Sequence, residues 1–177
     1  REMEIVKEIN HIGLSKATIL CIARPIIAAI DKCMQCDLEE IVLFMPISDL
    51  HLKILKKTRE SQLEMIQKAF DYTQDHGLRF NWVAEDGTRT PPDHLLDVCR
   101  LAFDNHAESI ILGDTVGVLQ PETAIYLTNL LMDHLNLKNS NTKFGLHAHN
   151  DFGQAVANTV ATVFHGATIA HACVNGY

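Results

Sequence analysis

The chain lacks most of the features that would take it out of the class of ordinary globular enzymes. It has no apolar stretch long enough for a membrane span. It has no excess of positive charge; the formal net charge is -7, which argues against a general nucleic-acid binder. The opening residues Arg1-Glu2-Met3-Glu4 carry no apolar core followed by a cleavage site, so no signal peptide is expected there. The five cysteines are odd in number and irregularly spaced, which argues against a disulfide framework and for a reducing cytoplasm. Cys33-Met34-Gln35-Cys36 has no second pair and no thioredoxin-like context, so both thiols are expected to be structural. No G-x-G-x-x-G follows a strand-like run, which weakens a dinucleotide-binding reading. What is present is 177 residues, 47% hydrophobic and 21% charged, the size and balance of one soluble globular domain. The non-methionine start and the final Val174-Asn175-Gly176-Tyr177, just after a strand-like run, lead us to expect part of a longer protein.

Strand-like and helical patterns alternate along the chain. Strands are expected near His11–Leu14, Glu40–Pro46, Leu78–Ala84, Ser109–Leu112, Thr142–His147 and Thr168–Val174. Helices are expected over Arg1–Ile9, Ser15–Lys32 (interrupted or restarted at Pro25), Arg59–His76, from Thr90, from Pro121, and over Phe152–His165. Ser61 and Glu64 resemble a capping box, with a start one turn earlier as the alternative, Gly77 suits a left-handed C-terminal cap, and Thr90 with Pro91 reads as an N-cap and first helical residue. Strands that alternate with helices imply a parallel α/β sheet with helices outside it. An open doubly wound sheet and an eightfold (β/α)8 TIM barrel both fit. The barrel is favoured by the strand ends, where barrels gather their active sites. Five ends in succession carry reactive side chains: Ser48-Asp49 with His51, Glu85-Asp86 with Arg89, Asp114-Thr115, His147 through Asp151, and Asn175. A whole barrel takes about 250 residues, so residues 1–177 are expected to form a partial barrel, strands three to eight.

The most informative segment is Leu146-His147-Ala148-His149-Asn150-Asp151. Strand side chains alternate with a period of two, so His147 and His149 face the same way and can supply half of a metal site. The alternative is a pair of core or surface histidines. A third ligand would be a carboxylate, with Asp114, Glu85 and Asp49 as candidates. Two imidazoles beside a hard oxygen suit zinc, manganese or magnesium in a Lewis-acid role. Such an ion could chelate an α-keto acid. Glu85 is a candidate general base or proton relay, and Thr115 a donor to a substrate carboxylate. Asp114 could instead orient a neighbour, and Thr115 cap a turn. The basic cluster Lys53, Lys56, Lys57 and Arg59 reads first as a solvated helix start and second as a contact for an anionic cofactor tail.

Gly113-Asp114-Thr115-Val116-Gly117 and the run from His147 to Asn158 resemble the acyl-CoA-condensing TIM-barrel synthases, a family that includes the isopropylmalate, homocitrate and citramalate synthases. Ser48-Asp49-Leu50-His51-Leu52-Lys53, Ala84-Glu85-Asp86-Gly87-Thr88-Arg89-Thr90 and Asn175-Gly176 match the same pattern, and the resemblance covers nearly the whole chain. It implies a Claisen-type addition of the acetyl group of acetyl-CoA to an α-keto acid, followed by thioester hydrolysis. Residue by residue, it makes His147 and His149 ligands of a divalent metal and Glu85 an active-site acid or base. Thr115 becomes a keto-acid contact, His51 a catalytic-pocket residue, and Asn150 and Asn175 substrate contacts. The family's first-strand arginine and its adjacent acidic ligand have no counterpart in this chain. The resemblance implies a cytoplasmic, amino-acid-biosynthetic acyltransferase, commonly a homodimer, with no membrane or nucleic-acid partner. Isopropylmalate synthase, acting on 2-oxoisovalerate in leucine biosynthesis, comes first. Homocitrate and citramalate synthases come next, the former disfavoured by Asn81 where some carry arginine. Hydroxymethylglutaryl-CoA lyase-type cleavage and a non-catalytic barrel segment acting in packing or partner binding are the remaining alternatives.

Overall fold

A computed structural model of the chain describes residues 2–174. Among the described residues six strands form one parallel sheet: β1 (Cys21–Ala23), β2 (Glu40–Pro46), β3 (Arg79–Glu85), β4 (Ser109–Asp114), β5 (Lys143–Ala148) and β6 (Ile169–Ala170). Seven α-helices among the same described residues accompany them: α1 (Glu2–Asn10), α2 (Ile27–Met34), α3 (Asp49–Leu55), α4 (Arg59–Asp75), α5 (Pro92–Asp104), α6 (Pro121–His134) and α7 (Ala155–Phe164). The strands are hydrogen-bonded in sequence order, β1-β2-β3-β4-β5-β6, each parallel to the next. A doubly wound sheet reverses its strand order at a switch point. This order never reverses, so the architecture is that of a TIM barrel, present as a six-strand arc with β1 and β6 at its edges. No helix among the described residues is long and apolar enough to cross a membrane.

Alternation along the strands sorts the side chains into two faces. Ile41, Leu43 and Met45 of β2 and Phe80, Trp82 and Ala84 of β3 are buried under the helices. There Phe70 of α4 stacks on Phe80 with ring centroids 4.4 Å apart and meets Trp82 edge-on at 5.4 Å. The other face is the inner one. Its rows follow the register: Phe44 lies beside Val83, Val83 beside Ile111, Ile111 beside Gly145, and Gly145 beside Ile169. Below that row Asn81 donates to Glu40 Oε1 at 2.7 Å and accepts from Ser109 Oγ at 2.6 Å. Asn81 is therefore part of a polar floor four residues short of the strand end.

Several elements begin elsewhere than the sequence pattern implies. The first strand is Cys21–Ala23, inside the expected Ser15–Lys32 helix, and residues 11–14 form no strand. A short apolar run fits either period, and Pro25 biases the residue before it toward extended backbone. The helix starts only beyond the proline, at Ile27. Thr58, not Ser61, is the N-cap of α4, and Ser61 closes the capping box on it. Pro91 rather than Thr90 is the N-cap of α5; Thr90 Oγ1 donates instead to the Asp86 carbonyl at 2.9 Å. The Ser48–Lys57 stretch holds a complete helix, α3, which ends on Lys56 in the left-handed region. The last strand is only two residues long. Gly77 does take the left-handed conformation after α4, with φ +74°. Cys33 and Cys36 are buried free thiols, and burial pushes Cys33 up to about 11, the state of an inert packing residue.

Gly145 is required by the approach of β6 to β5. A Cβ placed there would lie 2.8 Å from both Cβ and O of Ile169 and 3.0 Å from Ile111 Cδ1. We expect Gly145→Ala to destabilise the protein by about 1–3 kcal/mol through overpacking. A urea titration measures it, and an unchanged midpoint would show that β6 does not sit this close.

Candidate functional site

The inner face ends in a cleft of about 420 Å³ at the C-terminal ends of the strands. Its walls are apolar: Leu20, Ile22, Val42, Phe44 and Val83. Its rim is polar and comes from four strand ends: Glu85, Thr115, His147 with His149, and His171. Period-two alternation carries His147 and His149 to the same side of β5 even though the strand itself ends at Ala148. Their ring centroids are 5.2 Å apart. The His149 N–H donates to the Asp114 carbonyl at 3.2 Å, which extends the β4–β5 pairing and steadies the second ring.

Burial, then the His171 and His149 rings, hold the His147 imidazole below its ordinary range. Partial desolvation does the same for His171, which remains exposed at the rim. Both rings are therefore neutral near pH 7, the state a metal ligand needs. The donor set fits a divalent cation in part. Two neutral imidazoles face one cavity, and among the described residues no third His, Cys, Asp or Glu joins them around a common point. His147 and His149 could hold an ion only with further ligands from elsewhere.

The three candidate carboxylates separate clearly. Asp114 is fully buried and both its oxygens serve the loop after β4: Oδ1 accepts from Thr88 Oγ1 and the Val118 N–H, and Oδ2 from the Leu119 N–H. It orients its neighbours and is not free to ligate. Asp49 sits on the outer face of α3, where it takes a forked contact from Arg59 at 2.9 Å. Glu85 alone lines the cleft. Burial raises its carboxyl, and Asp86 adds to this, while His51 and Arg24 pull the other way; the net direction is up. A carboxyl held upward in a cleft is suited to moving protons.

Behind Glu85 lies a network that sequence reasoning did not assemble. Asp86 is buried and has φ +57°, a backbone state that is uncommon outside glycine. Burial alone would raise its carboxyl. Arg89, Ser48 and His51 outweigh that and hold it below the usual range. Arg89 Nε and Nη2 donate to the two oxygens at 2.7 and 2.9 Å, and Ser48 Oγ donates to Oδ2 at 2.5 Å. His51 Nδ1 lies 2.9 Å from Ser48 Oγ and 3.1 Å from Asp86 Oδ2. A carboxylate can only accept, so Nδ1 carries the proton and Nε2 keeps its lone pair. His51 stands behind the cleft, outside its lining. Thr115 Oγ1 accepts from the Asp86 N–H at 2.8 Å, which fixes the hydroxyl on the rim and leaves its own proton to donate.

The two asparagines fare differently from the histidines. Asn150 Oδ1 accepts from the Ala155 N–H at 3.1 Å, so its carbonyl serves the start of α7, and the residue does not line the cleft. Asn175 lies outside the described residues. The sequence reading passed over His171, whose ring is the third on the rim. Its signal was available: it is two residues beyond Ile169, on the inner side of β6 by the same alternation that aligns His147 and His149.

Comparison with known proteins gives the chain's family and fold. The chain is 39% identical over 176 residues to the 2-isopropylmalate synthase of Methanocaldococcus jannaschii, covering 99% of this chain and 33% of that protein. It is 36% identical over 172 residues to the homocitrate synthase of Sulfurisphaera tokodaii, covering 97% and 36%. It thus spans about a third of the length of these relatives. Among solved structures, the hydroxymethylglutaryl-CoA lyase from Pseudomonas aeruginosa superposes with a TM-score of 0.80 at 18% identity, over 93% of this chain and 55% of that one, a likeness of fold. The sequence pattern of the HMGL-like family matches residues 1–177, and the chain belongs to that family.

Proposed function

We propose that this chain supplies the larger part of the barrel of an acyl-CoA-condensing synthase, and that its site joins the acetyl group of acetyl-CoA to the ketone of an α-keto acid. The observation that carries the proposal is the pairing of His147 and His149 on one side of an apolar cleft with Glu85 and Thr115 on its rim. The 2-isopropylmalate and homocitrate synthases among the relatives support it.

In this reading His147 and His149 hold a divalent zinc, manganese or magnesium ion, completed by ligands outside these residues. When bound, the ion supplies Lewis-acid stabilisation of charge developing at the ketone oxygen. The remaining work falls to the chain's own groups. Thr115, its oxygen anchored by the Asp86 N–H, turns its hydroxyl proton toward the keto-acid carboxylate. Glu85, with its carboxyl raised by burial, takes or relays the proton lost from the acetyl methyl group. His51 and Asp86, behind it, act on Glu85 through charge and in opposite directions. Lys53, Lys56 and Lys57, near the end of α3, offer charge to the anionic tail of coenzyme A. Residues 1–177 would be strands three to eight of the barrel, with the first two units elsewhere in the protein.

The cleft walls favour 2-oxoisovalerate. Leu20, Ile22, Val42, Phe44 and Val83 complement a branched apolar tail, and no lysine or arginine lines the cleft among the described residues. The second carboxylate of 2-oxoglutarate would be buried there without a partner, which is costly. Asn81 cannot substitute for a cation, because Glu40 and Ser109 already engage it below the site. The homocitrate synthases among the relatives support 2-oxoglutarate as the second reading.

Three outcomes are expected. Full-length protein supplied with metal should release free thiol from acetyl-CoA fastest with 2-oxoisovalerate, by at least ~10-fold over pyruvate, the discrimination a hydrophobic pocket gives per few methyl groups. No thiol release with 2-oxoisovalerate, pyruvate or 2-oxoglutarate would refute the synthase reading. His147→Ala and His149→Ala should each weaken Zn2+ retention in equilibrium dialysis by more than the ~10–100-fold that loss of an outer-sphere group costs; unchanged retention would remove the metal site. The third outcome concerns the Asp86 anchor. A carboxyl held below its unfolded value of 3.8 contributes stability above that pH and loses it as pH falls through the lower folded value. Asp86→Asn should therefore lower stability at pH 7 by roughly 2 kcal/mol and flatten the acid limb of a stability-versus-pH curve. Parallel acid limbs in the two proteins would show that Asp86 is not so held.

A further inference from the structure

We propose that His171 is the positioning residue of His147, holding that ring through Nδ1 so that Nε2 is the nitrogen offered to a divalent cation. The inference rests on the reading of His147 as a metal ligand and adds a group that acts through it.

The geometry begins with the strand register. β5 and β6 pair Gly145 with Ile169, and two residues further the same register brings His147 opposite His171. Gly145 allows the close approach, since any side chain there would collide with Ile169. The two rings meet with centroids 5.1 Å apart and planes at 83°, and their Nδ1 atoms are 2.9 Å apart. That separation is a hydrogen bond, so one Nδ1 carries a proton and the other accepts it.

Which ring donates decides what His147 can do. If His171 donated, the Nδ1 lone pair of neutral His147 would be engaged and its Nε2 would carry the proton. Neither nitrogen could then bind a cation. If His147 donates, its Nε2 lone pair is free, and His171 accepts at Nδ1 while carrying its own proton at Nε2. A bound cation selects the second arrangement. The hydrogen bond also restrains rotation about the His147 side chain and makes Nε2 a stronger donor to the cation, as outer-sphere partners of metal-bound histidines do.

His171 is not a third ligand in this arrangement. Among the described residues no three His, Cys, Asp or Glu side chains surround a point that would hold an ion. Its Nδ1 points at His147 rather than alongside it. A neutral imidazole in this role also leaves the positive charge of a bound ion undiminished, where a carboxylate partner would offset part of it.

The test uses the full-length protein with Zn2+ and Co2+ as probes and four variants: His147→Ala, His149→Ala, His171→Ala and His171→Gln. Dialysis gives the affinity, the visible spectrum of bound Co2+ reports its ligand set, and long-range 15N–1H NMR reports the His147 tautomer. His171→Ala should weaken Zn2+ binding by ~10–100-fold, leave the Co2+ ligand set unchanged, and lose the His147 Nδ1–H signal. His171→Gln, whose amide oxygen can accept the same bond, should recover most of the affinity and keep the Nδ1–H signal. Unchanged affinity and tautomer in His171→Ala, with binding abolished in His147→Ala, would overturn the positioning role and leave the metal reading standing. A Co2+ spectrum that loses a ligand in His171→Ala would overturn it by making His171 a ligand. Metal binding untouched in His147→Ala and His149→Ala would instead overturn the reading beneath it. Should His171→Ala fail to fold, the tautomer in His171→Gln decides alone, and loss of Nδ1–H there would contradict the proposal.

Discussion

The site depends on one constraint, the two-residue period of a β-strand applied where β5 meets its neighbours. It sends His147 and His149 to the inner face together. The same period in β3 sends Val83 and Glu85 inward and Trp82 and Ala84 outward under the helices. A shift of one residue in either strand would put the imidazoles in the helix layer and Trp82 in the cleft. Because Trp82 is packed against Phe70, which in turn stacks on Phe80, the apolar layer outside the sheet fixes the chemistry inside it.

Around that constraint the molecule divides its acidic groups by environment. Glu85 and Asp86 are adjacent in sequence and opposite in behaviour. Glu85 faces a mostly apolar cleft and its carboxyl is raised. Asp86 faces away, against Arg89, Ser48 and His51, and its carboxyl is lowered. Neighbouring carboxyls pushed apart in this way can take separate parts, one moving protons and one remaining an ionised anchor. The anchor reaches the rim through the Asp86 N–H and the Thr115 hydroxyl, so the ends of β3 and β4 are joined at the atom that meets substrate in the proposed reaction.

What the sequence disclosed depended on whether a feature was local. The alternation that pairs His147 with His149 is visible in four letters. The left-handed turn at Gly77 after α4 and the start of α6 at Pro121 were legible because Gly and Pro each act on their immediate backbone. The fold class followed from repetition of strand and helix. β1 was misplaced because a three-residue apolar run, set off from Pro25 by Arg24 alone, fits a helix as well as a strand. Asp114 was read as a possible ligand because its loop partners, Val118 and Leu119, bond through backbone N–H groups that no sequence displays. The Ser48–His51–Asp86–Arg89 network and the His147–His171 contact were missed for a related reason. They join residues at or just beyond the ends of different strands, and only the sheet's alignment brings those ends together.

The central claim is that His147 and His149 share one cation at the mouth of the barrel. X-ray absorption at the zinc edge of the Zn2+-loaded full-length protein tests it most directly. The account predicts two imidazole nitrogens at about 2.0 Å with oxygen completing the shell and no sulfur. A shell with thiolate scattering at about 2.3 Å, or one without imidazole, would contradict it.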